Sequence, residues 1–329
     1  MPVESLPLMS LLFIVSLVIL MKGADFLIEG SSAIAKYMGV SELVIGLTVV
    51  ALGTSLPELV VSIRAAIDSK AELALANVLG SNITNILLVL GVTAAIKPVP
   101  APSQLLKKDL PLGALLVGAF TAIALRPNGD EYLSNGTFPR WGGLVLIGFF
   151  LAFVLRLASD KKSGKNIEKE VSKPSLKEGF KASYLVVLGS TGLLIGGNYT
   201  VESAVNIARI IGLSETTIGL TIVALGTSLP ELVASFAAAK KGYTGMAVGN
   251  IIGSNLMNLA LVLGAAASIK TINISPNAKV DIITMTIVSL SMFTILKWRK
   301  SPQLNRPLGL LFLLGYFSYM TFVTLRVQN

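Results

Sequence analysis

The sequence predicts an all-α membrane protein whose ten transmembrane helices form two inverted five-helix repeats. Three observations lead to this fold class. The chain of 329 residues is 53% hydrophobic and only 14% charged, with a mean hydropathy of +0.75, which is too apolar for a soluble domain of this length. Its apolar segments are about as long as a membrane helix. One of them recurs almost unchanged in the second half of the chain.

The apolar segments indicate helices rather than strands. A helix needs about 20 apolar residues to cross a bilayer, whereas the strands of a membrane barrel are about ten residues long and alternate in polarity. The segments are too long and too uniformly apolar for such strands, so we expect an all-helical architecture. They lie at about 6–36, 40–66, 72–96, 109–126, 140–158, 182–209, 214–239, 245–269, 280–297 and 307–325.

The most polar segment of the chain contains seven lysines and separates two halves. We expect an N-terminal five-helix repeat at 1–158, a basic linker at 159–181 and a C-terminal repeat at 182–329. The predicted loops on the same side of the membrane as the linker contain 18 Lys and Arg residues, and the loops on the opposite side contain 8. The positive-inside rule then places the linker in the cytoplasm and both termini outside the cell, for a multi-pass protein of the plasma membrane.

The residue types that the chain lacks exclude several functions. It has no Cys and no His, which excludes disulfides, the usual zinc and copper sites and a Ser-His triad. Any metal ion must therefore be bound by oxygen. We also expect neither an enzyme nor an organic cofactor. The net charge is +9, but the basic residues mark the ends of apolar segments, so the predicted partner is the lipid bilayer and not a nucleic acid. We expect a monomer.

The two halves carry the same motif. Residues 46–58 read GLTVVALGTSLPE and residues 219–231 read GLTIVALGTSLPE, identical at 12 of 13 positions with an offset of 173. The same offset pairs Gly39 with Gly212 and Lys97 with Lys270. Because an odd number of predicted helices separates the copies, they are expected to be inverted in the membrane. Many secondary transporters build a midplane site from such repeats.

Each motif places a proline beside an acidic residue. Pro57 and Pro230 lack the N–H that a helix needs and crowd the preceding turn, so we expect each helix to break there. Freed carbonyls and a buried carboxylate each cost at least a few kcal/mol in hydrocarbon, and a cation satisfies both. The predicted site residues of the motif are Thr54, Ser55 and Glu58 in the first copy and Thr227, Ser228 and Glu231 in the second.

Two alternatives to cation binding remain open for the buried glutamates. Each could be protonated, or each could pair with a buried base. Lys22 is the only basic residue within a predicted span, and one lysine cannot neutralise both carboxylates.

A Gly-Ser-Asn segment follows each motif and offers neutral oxygens. Ser81 with Asn85, and Ser254 with Asn258, are spaced to share one helix face. Small residues also allow close helix packing, so the ligand interpretation rests on their duplication beside the broken helices. Four further asparagines are expected to hold the broken backbone by hydrogen bonds: Asn77, Asn82, Asn250 and Asn255.

Two carboxylates surrounded by amide, hydroxyl and carbonyl oxygens suit Ca²⁺ and Na⁺ better than Mg²⁺, which sheds its water reluctantly. Without a cation, Glu58 and Glu231 would repel each other. We therefore expect exchange by alternating access, in which one Ca²⁺ leaves as several Na⁺ ions arrive.

The paired GTSLPE motifs, each followed by a Gly-Ser-Asn segment, resemble the alpha repeats of the sodium/calcium exchanger family in its compact prokaryotic form. The resemblance covers about residues 20–97 and 193–270 and implies an electrogenic antiporter whose first and sixth helices slide. It implies calcium ligands at Glu58, Glu231 and the carbonyls of Thr54 and Thr227. It also implies sodium sites at the Ala51 carbonyl with Ser55 and Ser81 and at the Ala224 carbonyl with Ser228 and Ser254, and a central pair, Asn85 and Asn258.

Two other functions remain open. Proton/calcium antiport needs only the two glutamates, although the paired Ser and Thr oxygens favour sodium. A cation channel could also use carbonyls and glutamates, but channels usually arrange identical elements around an axis along the membrane normal, which inverted repeats do not provide.

Overall fold

A computed structural model describes residues 6–126, 136–160, 176–213, 218, 222, 224–299 and 303–328. Helices in the first half are α1 (Leu6–Met38), α2 (Glu42–Ile45), α3 (Ala51–Thr54), α4 (Leu56–Ile67), α5 (Ala71–Thr84), α6 (Leu90–Ile96), α7 (Leu110–Ala124) and α8 (Arg140–Asp160). Those in the second half are α9 (Leu176–Ile210), α10 (Ala224–Gly226), α11 (Leu229–Lys240), α12 (Thr244–Met257), α13 (Gly264–Ile269), α14 (Pro276–Trp298) and α15 (Arg306–Gln328). Four π-helical turns are Gly46–Val50, Asn85–Val89, Leu105–Asp109 and Asn258–Leu263.

The helices are those of a multi-pass membrane protein. Within the described residues, seven helices are long and apolar enough to cross a bilayer, and an eighth span results if the bent pair Glu42–Thr54 and Leu56–Ile67 counts as one. Two of the ten predicted spans fall short of this test. The fourth corresponds to α7, which has 15 residues and follows a π-helical turn that contains Lys107, Lys108 and Asp109. Most of the first half of the seventh lies outside the described residues. Ten spans and their inversion stay predictions.

Two pairs of short strands lie in the loops between the helices of the all-helical bundle. Short strands β1 (Val99–Pro100) and β4 (Gln303–Leu304) pair antiparallel, as do β2 (Gly136–Phe138) and β3 (Ile272–Ile274). Each pair joins the first half of the chain to the second. The apolar pattern of whole segments cannot show such pairs, because they consist of two or three residues that lie between helices.

Two helices extend into the range 159–181 that is predicted for the linker. Helix α8 continues to Asp160, and α9 begins at Leu176. Lys177 and Glu178 in the first turn of α9 favour helix, so their polarity does not mark a helix boundary. The division of the chain into two repeats and a linker stays a prediction. Residues 161–175, with most of the predicted linker, lie outside the described part of the chain.

Local backbone geometry repeats at the offset of 173 found in the sequence. Gly39 ends α1 with φ +63°, and Gly212 ends α9 with φ +86°. In each case the glycine N–H and the following N–H bond back to the last helical turn, as in a glycine C-terminal cap. Ser69, with φ +59°, occupies the position of Gly242, with φ +91°. The two halves therefore end equivalent helices in the same way.

Helices α5 and α12, extended by α6 and α13, form the centre of the bundle. The spans Ala71–Ile96 and Thr244–Ile269 are 72% and 78% buried, against 17–33% for the other spans. Helix α12 also lies against the π-helical turn Gly46–Val50, where a Cβ on Gly46 would meet the Met246 carbonyl at 2.5 Å. The residues after both broken helices are thus placed at the middle of the molecule.

Helices α1 and α9 pack against each other with almost no side chain between their backbones. A Cβ on Gly23 would lie 2.7 Å from the Leu193 nitrogen, and one on Gly196 would lie 2.5 Å from the Leu20 nitrogen. Small residues allow such close approach of membrane helices. The two long helices therefore form one tightly joined pair beside the central helices.

The close approach of α1 and α9 predicts the effect of adding a methyl group. Gly196→Ala should lower the free energy of unfolding by about 1–3 kcal/mol, since backbone atoms cannot move aside as side chains do. Gly148→Ala in α8 is a matched control, because nothing lies within 4 Å of the added Cβ. Thermal unfolding of the purified protein in detergent measures both. Equal midpoints for the two variants would contradict the packing described here.

Candidate ion-binding site

Both copies of the repeated motif break their helices at the serine two residues before the proline. Helix α3 ends at Thr54 and α4 begins at Leu56, bent by 50° from the preceding segment. In the second half, α10 ends at Gly226 and α11 begins at Leu229. The serines between them have nearly the same backbone angles, φ −88°, ψ 7° at Ser55 and φ −90°, ψ 5° at Ser228. The prediction of a break at each proline is confirmed.

The two glutamates lie in the interior and face each other's motif. Glu58 and Glu231 are both fully buried, and they are close enough to interact electrostatically. The Ser55 hydroxyl donates to Glu231 Oε1 at 3.1 Å, which joins the first motif to the second. Within the described residues neither glutamate forms an ion pair with a basic side chain, and Lys22 is exposed on α1. The alternative of a buried structural ion pair is therefore excluded for these residues.

The Gly-Ser-Asn segments reach across to the opposite motif. Thr54 Oγ1 lies 3.3 Å from Ser254 Oγ, and Thr227 Oγ1 lies 3.5 Å from Ser81 Oγ. These two pairs correspond to each other under the offset of 173 residues. Each broken helix is therefore in contact with the central helix of the other half.

Two asparagines connect the halves where α5 meets α12. Asn82 donates from Nδ2 to the Asn255 carbonyl at 3.4 Å, and Asn255 donates to the Asn82 carbonyl at 3.3 Å. Asn85 donates from Nδ2 to Asn255 Oδ1 at 3.1 Å. Asn85 and Asn258 are fully buried, and each begins a π-helical turn. Such turns often occur at functional sites, although no residue type marks them in the sequence.

Asn250 holds three parts of the site together. Its Oδ1 accepts from Thr54 Oγ1 at 3.1 Å, and its Nδ2 donates to Ser235 Oγ at 2.9 Å and to the Glu231 carbonyl at 3.5 Å. The equivalent Asn77 donates to Ser62 Oγ at 3.1 Å. The expectation that these asparagines hold the backbone by hydrogen bonds is confirmed for Asn250. Ser62 and Ser235 were missed, although each lies one helical turn after its glutamate.

The remaining two predicted residues lie at the starts of short helices. Ala51 is the first residue of α3, and its carbonyl accepts hydrogen bonds from the Ser55 N–H at 3.0 Å and from Thr54 Oγ1 at 3.3 Å. In this conformation the Ala51 carbonyl oxygen is therefore already an acceptor for protein donors. Ala224 is the first residue of α10.

Several buried oxygens of the site lack a hydrogen-bond donor. They belong to the two repeated motifs and to the segments that follow them, and they comprise Glu58 Oε1 and Oε2, Glu231 Oε2, Asn82 Oδ1, Asn85 Oδ1, Asn258 Oδ1 and Ser228 Oγ. Leaving such an atom unsatisfied costs about 1–3 kcal/mol, and more if it is charged. A cation coordinated by these oxygens would remove that cost. In the described part of the chain no three acidic side chains lie together, so neutral oxygens must complete the coordination.

Comparison with known proteins gives the family. The sequence model described as "Sodium/calcium exchanger protein" matches residues 8–158 and 181–325. This chain belongs to the sodium/calcium exchanger family. It is 36% identical to the inner membrane protein YrbG of Escherichia coli over 94% of both chains. It is 31% identical to the sodium/calcium exchanger MaX1 of Methanosarcina acetivorans, over 94% of this chain and 97% of that one.

A solved structure has the same fold. The sodium-calcium exchanger NCX_Mj, soaked with 10 mM Na⁺ and no Ca²⁺, superposes with a TM-score of 0.82 at 32% identity, over 96% of this chain and 99% of that one. The family resemblance inferred from the motifs is thus confirmed. This member of the sodium/calcium exchanger family is a membrane antiporter and not an enzyme.

Asn250 and Asn77 give a matched pair for testing the framework of the site. Asn250→Leu removes three hydrogen bonds and leaves the buried Ser235 hydroxyl without this donor, so the free energy of unfolding should fall by about 2–4 kcal/mol. Asn77→Leu removes one bond to Ser62 and should cost about 1 kcal/mol. Thermal unfolding of the two variants makes the comparison. A larger loss in Asn77→Leu would contradict the central role given to Asn250.

Proposed function

We propose that the protein exchanges several Na⁺ ions for one Ca²⁺ across the membrane, electrogenically and by alternating access to one shared site. The observation that supports this most is the set of buried carboxylate oxygens on Glu58 and Glu231 without protein donors. Two facing carboxylates carry the charge that one Ca²⁺ neutralises, and calcium accepts six to eight oxygen ligands. Relatives of the chain that bear the name sodium/calcium exchanger support the same ions.

The proposed calcium ligands are Glu58, Glu231 and the main-chain carbonyls of Thr54 and Thr227, which lie at the breaks of the two helices. Sodium would use oxygens on either side of this centre. Those proposed for sodium are the Ala51 carbonyl with Ser55 and Ser81, the Ala224 carbonyl with Ser228 and Ser254, and the central amides Asn85 and Asn258. The Ala51 carbonyl also accepts from the Ser55 N–H, so sodium would use its second lone pair, with the single Thr54 hydroxyl proton donated to Asn250 Oδ1.

Exchange follows from the electrostatics of the pocket. Without a cation the two carboxylates would repel each other in a medium of low dielectric constant. The bound ion therefore leaves only when the other type of ion arrives and supplies the positive charge. The Ser55 hydroxyl stabilises Glu231 by a hydrogen bond, while Glu58 has no equivalent donor. The pocket in this conformation is therefore unequal, with more free acceptors on the Glu58 side.

The proposal includes the arrangement in the membrane. Ten spans form two inverted repeats at 1–158 and 182–329, joined by a cytoplasmic linker at 159–181, with both termini outside the cell and a monomer as the functional unit. The repeated helix ends at Gly39 and Gly212 and the family match in each half support two related repeats. The lysine and arginine distribution supports the orientation.

Proton/calcium antiport is the alternative that one observation favours. A buried carboxyl without donors, such as Glu58, can take up a proton in place of sodium. Uptake of ⁴⁵Ca²⁺ into proteoliposomes separates the two. An outward sodium gradient should drive uptake at equal pH on both sides. Uptake that follows a pH gradient and ignores sodium would refute sodium coupling.

The glutamates predict the clearest loss of function. Glu58→Gln and Glu231→Gln keep the size of the side chain but remove one negative charge, so sodium-dependent ⁴⁵Ca²⁺ uptake should fall by at least 100-fold, the equivalent of about 2.7 kcal/mol. Glu72→Gln is the control, because Glu72 is exposed and accepts only a hydrogen bond from Asn273. Normal exchange in either site variant would refute the assignment of the pocket.

The serines should affect sodium more than calcium. Ser55→Ala and Ser228→Ala each remove a hydroxyl that is assigned to sodium, so the sodium concentration for half-maximal exchange should rise about threefold to tenfold, and that for calcium by less than twofold. Ser55→Ala also removes the hydrogen bond to Glu231, so its calcium response should change more than that of Ser228→Ala. Equal shifts for both ions in Ser228→Ala would contradict separate sodium ligands.

A further inference from the structure

Lys241, the first residue after α11, connects that helix to α1 through two ion pairs. Its Nζ lies 2.8 Å from Asp25 Oδ1 and 3.1 Å from Glu29 Oε1. The two acids are four residues apart, so they project from the same face of α1. The side chains are 29% exposed at Lys241, 37% at Asp25 and 57% at Glu29. One lysine is therefore shared by two carboxylates at the partly exposed edge of the contact between the helices.

The same contact is apolar in its interior. Ile28 of α1 belongs to one buried cluster with Ala238 of α11. At the start of α11, Pro230 is buried, whereas the equivalent Pro57 at the start of α4 is partly exposed. The helix after the second motif is thus covered more completely than the helix after the first.

The ion pairs lie towards the end of α1 that is next to the start of α9. These two helices are antiparallel, since a Cβ on Gly196 would meet Leu20, while one on Gly179 would lie 3.3 Å from the Tyr37 ring. Both acids lie in the second half of α1, towards Tyr37. In the proposed arrangement this is the linker side of the membrane.

The first half of the chain has no counterpart of the lysine. The equivalent position is Asp68, the first residue after α4, and it pairs with Arg64 of its own helix at 2.8 Å. On α9, the positions equivalent to the two acids of α1 are Asn198 and Glu202. A contact of α9 with α4 that resembled the contact of α1 with α11 would therefore bring one acid towards another, without a bridging lysine.

We propose that Asp25, Glu29 and Lys241 form an ionic latch that stabilises the conformation in which the site is closed on the linker side. The inference rests on the proposed alternating access, and it assigns the α1–α11 contact as the part that opens when the site faces the linker side. Opening separates the lysine from both carboxylates, and the opposite conformation gains no equivalent pairs. Isolated exposed pairs contribute little, but three charges that bridge two helices should shift the equilibrium about threefold to tenfold.

The absence of cysteine from the chain allows a single thiol to report the opening. Ser31→Cys is nearly isosteric, and Ser31 is fully buried, three residues after Ile28 and hence on the same side of α1. Its hydroxyl has no hydrogen-bond partner in the described part of the chain, so its replacement leaves no group unpaired. The protein in nanodiscs is alkylated with iodoacetamide, a small neutral reagent, at fixed sodium concentration, and the rate is measured by mass spectrometry.

Three charge variants, each combined with Ser31→Cys, test the latch. Lys241→Gln removes the bridging charge and should raise the alkylation rate about threefold to tenfold. Lys241→Arg keeps the charge and should stay within about twofold of the Ser31→Cys parent. Lys240→Gln is the matched control, because it removes the same charge from the adjacent, exposed residue and should leave the rate unchanged.

Salt gives a second measurement that needs no charge variant. Raising choline chloride from about 0.02 to about 0.5 M at fixed sodium screens exposed charges. The alkylation rate of the Ser31→Cys parent should therefore rise about twofold to fivefold, while that of Lys241→Gln should change much less.

Transport distinguishes the latch from a merely structural contact. In sealed vesicles of each orientation, Lys241→Gln should lower the calcium concentration for half-maximal exchange on the linker side about threefold to tenfold, because more of the protein is open there. It should not lower that concentration on the opposite side. A structural defect would weaken the response on both sides.

Three results would overturn the latch. One is an alkylation rate in Lys241→Gln equal to that in Lys240→Gln. Another is a parent rate that does not respond to choline chloride, which decides the question even if Lys241→Gln fails to fold. The third is faster alkylation without the one-sided change in calcium response. Failure of the exchange proposal is distinguishable, because the cysteine-free protein would then show no sodium-dependent ⁴⁵Ca²⁺ uptake at all.

Discussion

The structure depends on one electrostatic constraint, which is that two carboxylates are buried in the membrane interior without protein donors for most of their oxygens. Glu58 and Glu231 are fully buried, and three of their four oxygens have no hydrogen-bond partner. A charged group in this position costs at least a few kcal/mol. Other features of the central region, including the broken helices and the buried amides, have a clear role if cations offset that cost.

The polar side chains around the glutamates divide into a framework and a set of free acceptors. Asn250, Asn82 and Asn255 donate their amide N–H groups to backbone and side-chain acceptors. Asn258 and Ser228, by contrast, have buried atoms that no protein group satisfies. A rigid frame keeps the free oxygens in place, so that an ion can replace its hydration shell without large movement of the protein.

The sequence could predict the centre of this site because the motif is duplicated. One proline beside one glutamate in an apolar helix would be weak evidence, but the copies at 46–58 and 219–231 locate both breaks and both carboxylates. The family assignment followed from the same residues. Spans with few charges were also predictable, since length and apolarity alone decide them.

Contacts between distant segments could not be predicted from the pattern. The crossed pairs Thr54 with Ser254 and Thr227 with Ser81 depend on how α5 and α12 lie beside the broken helices. The ion pair of Asp109 with Arg156 likewise depends on the packing of α7 against α8. The π-helical turns at Asn85 and Asn258 shift the backbone by one residue, which no residue type signals. Helix periodicity reports which face is buried but not which partner it meets.

Competition between the two ions at equilibrium tests the shared pocket most directly. Binding of ⁴⁵Ca²⁺ to the purified protein is measured at increasing Na⁺ and constant ionic strength. The account predicts that the apparent Kd for calcium rises without limit, and that a plot of log Kd against log [Na⁺] reaches a slope above two. An apparent Kd that levels off at high sodium would mean that both ions bind at once, and that result would contradict a single site used by each in turn.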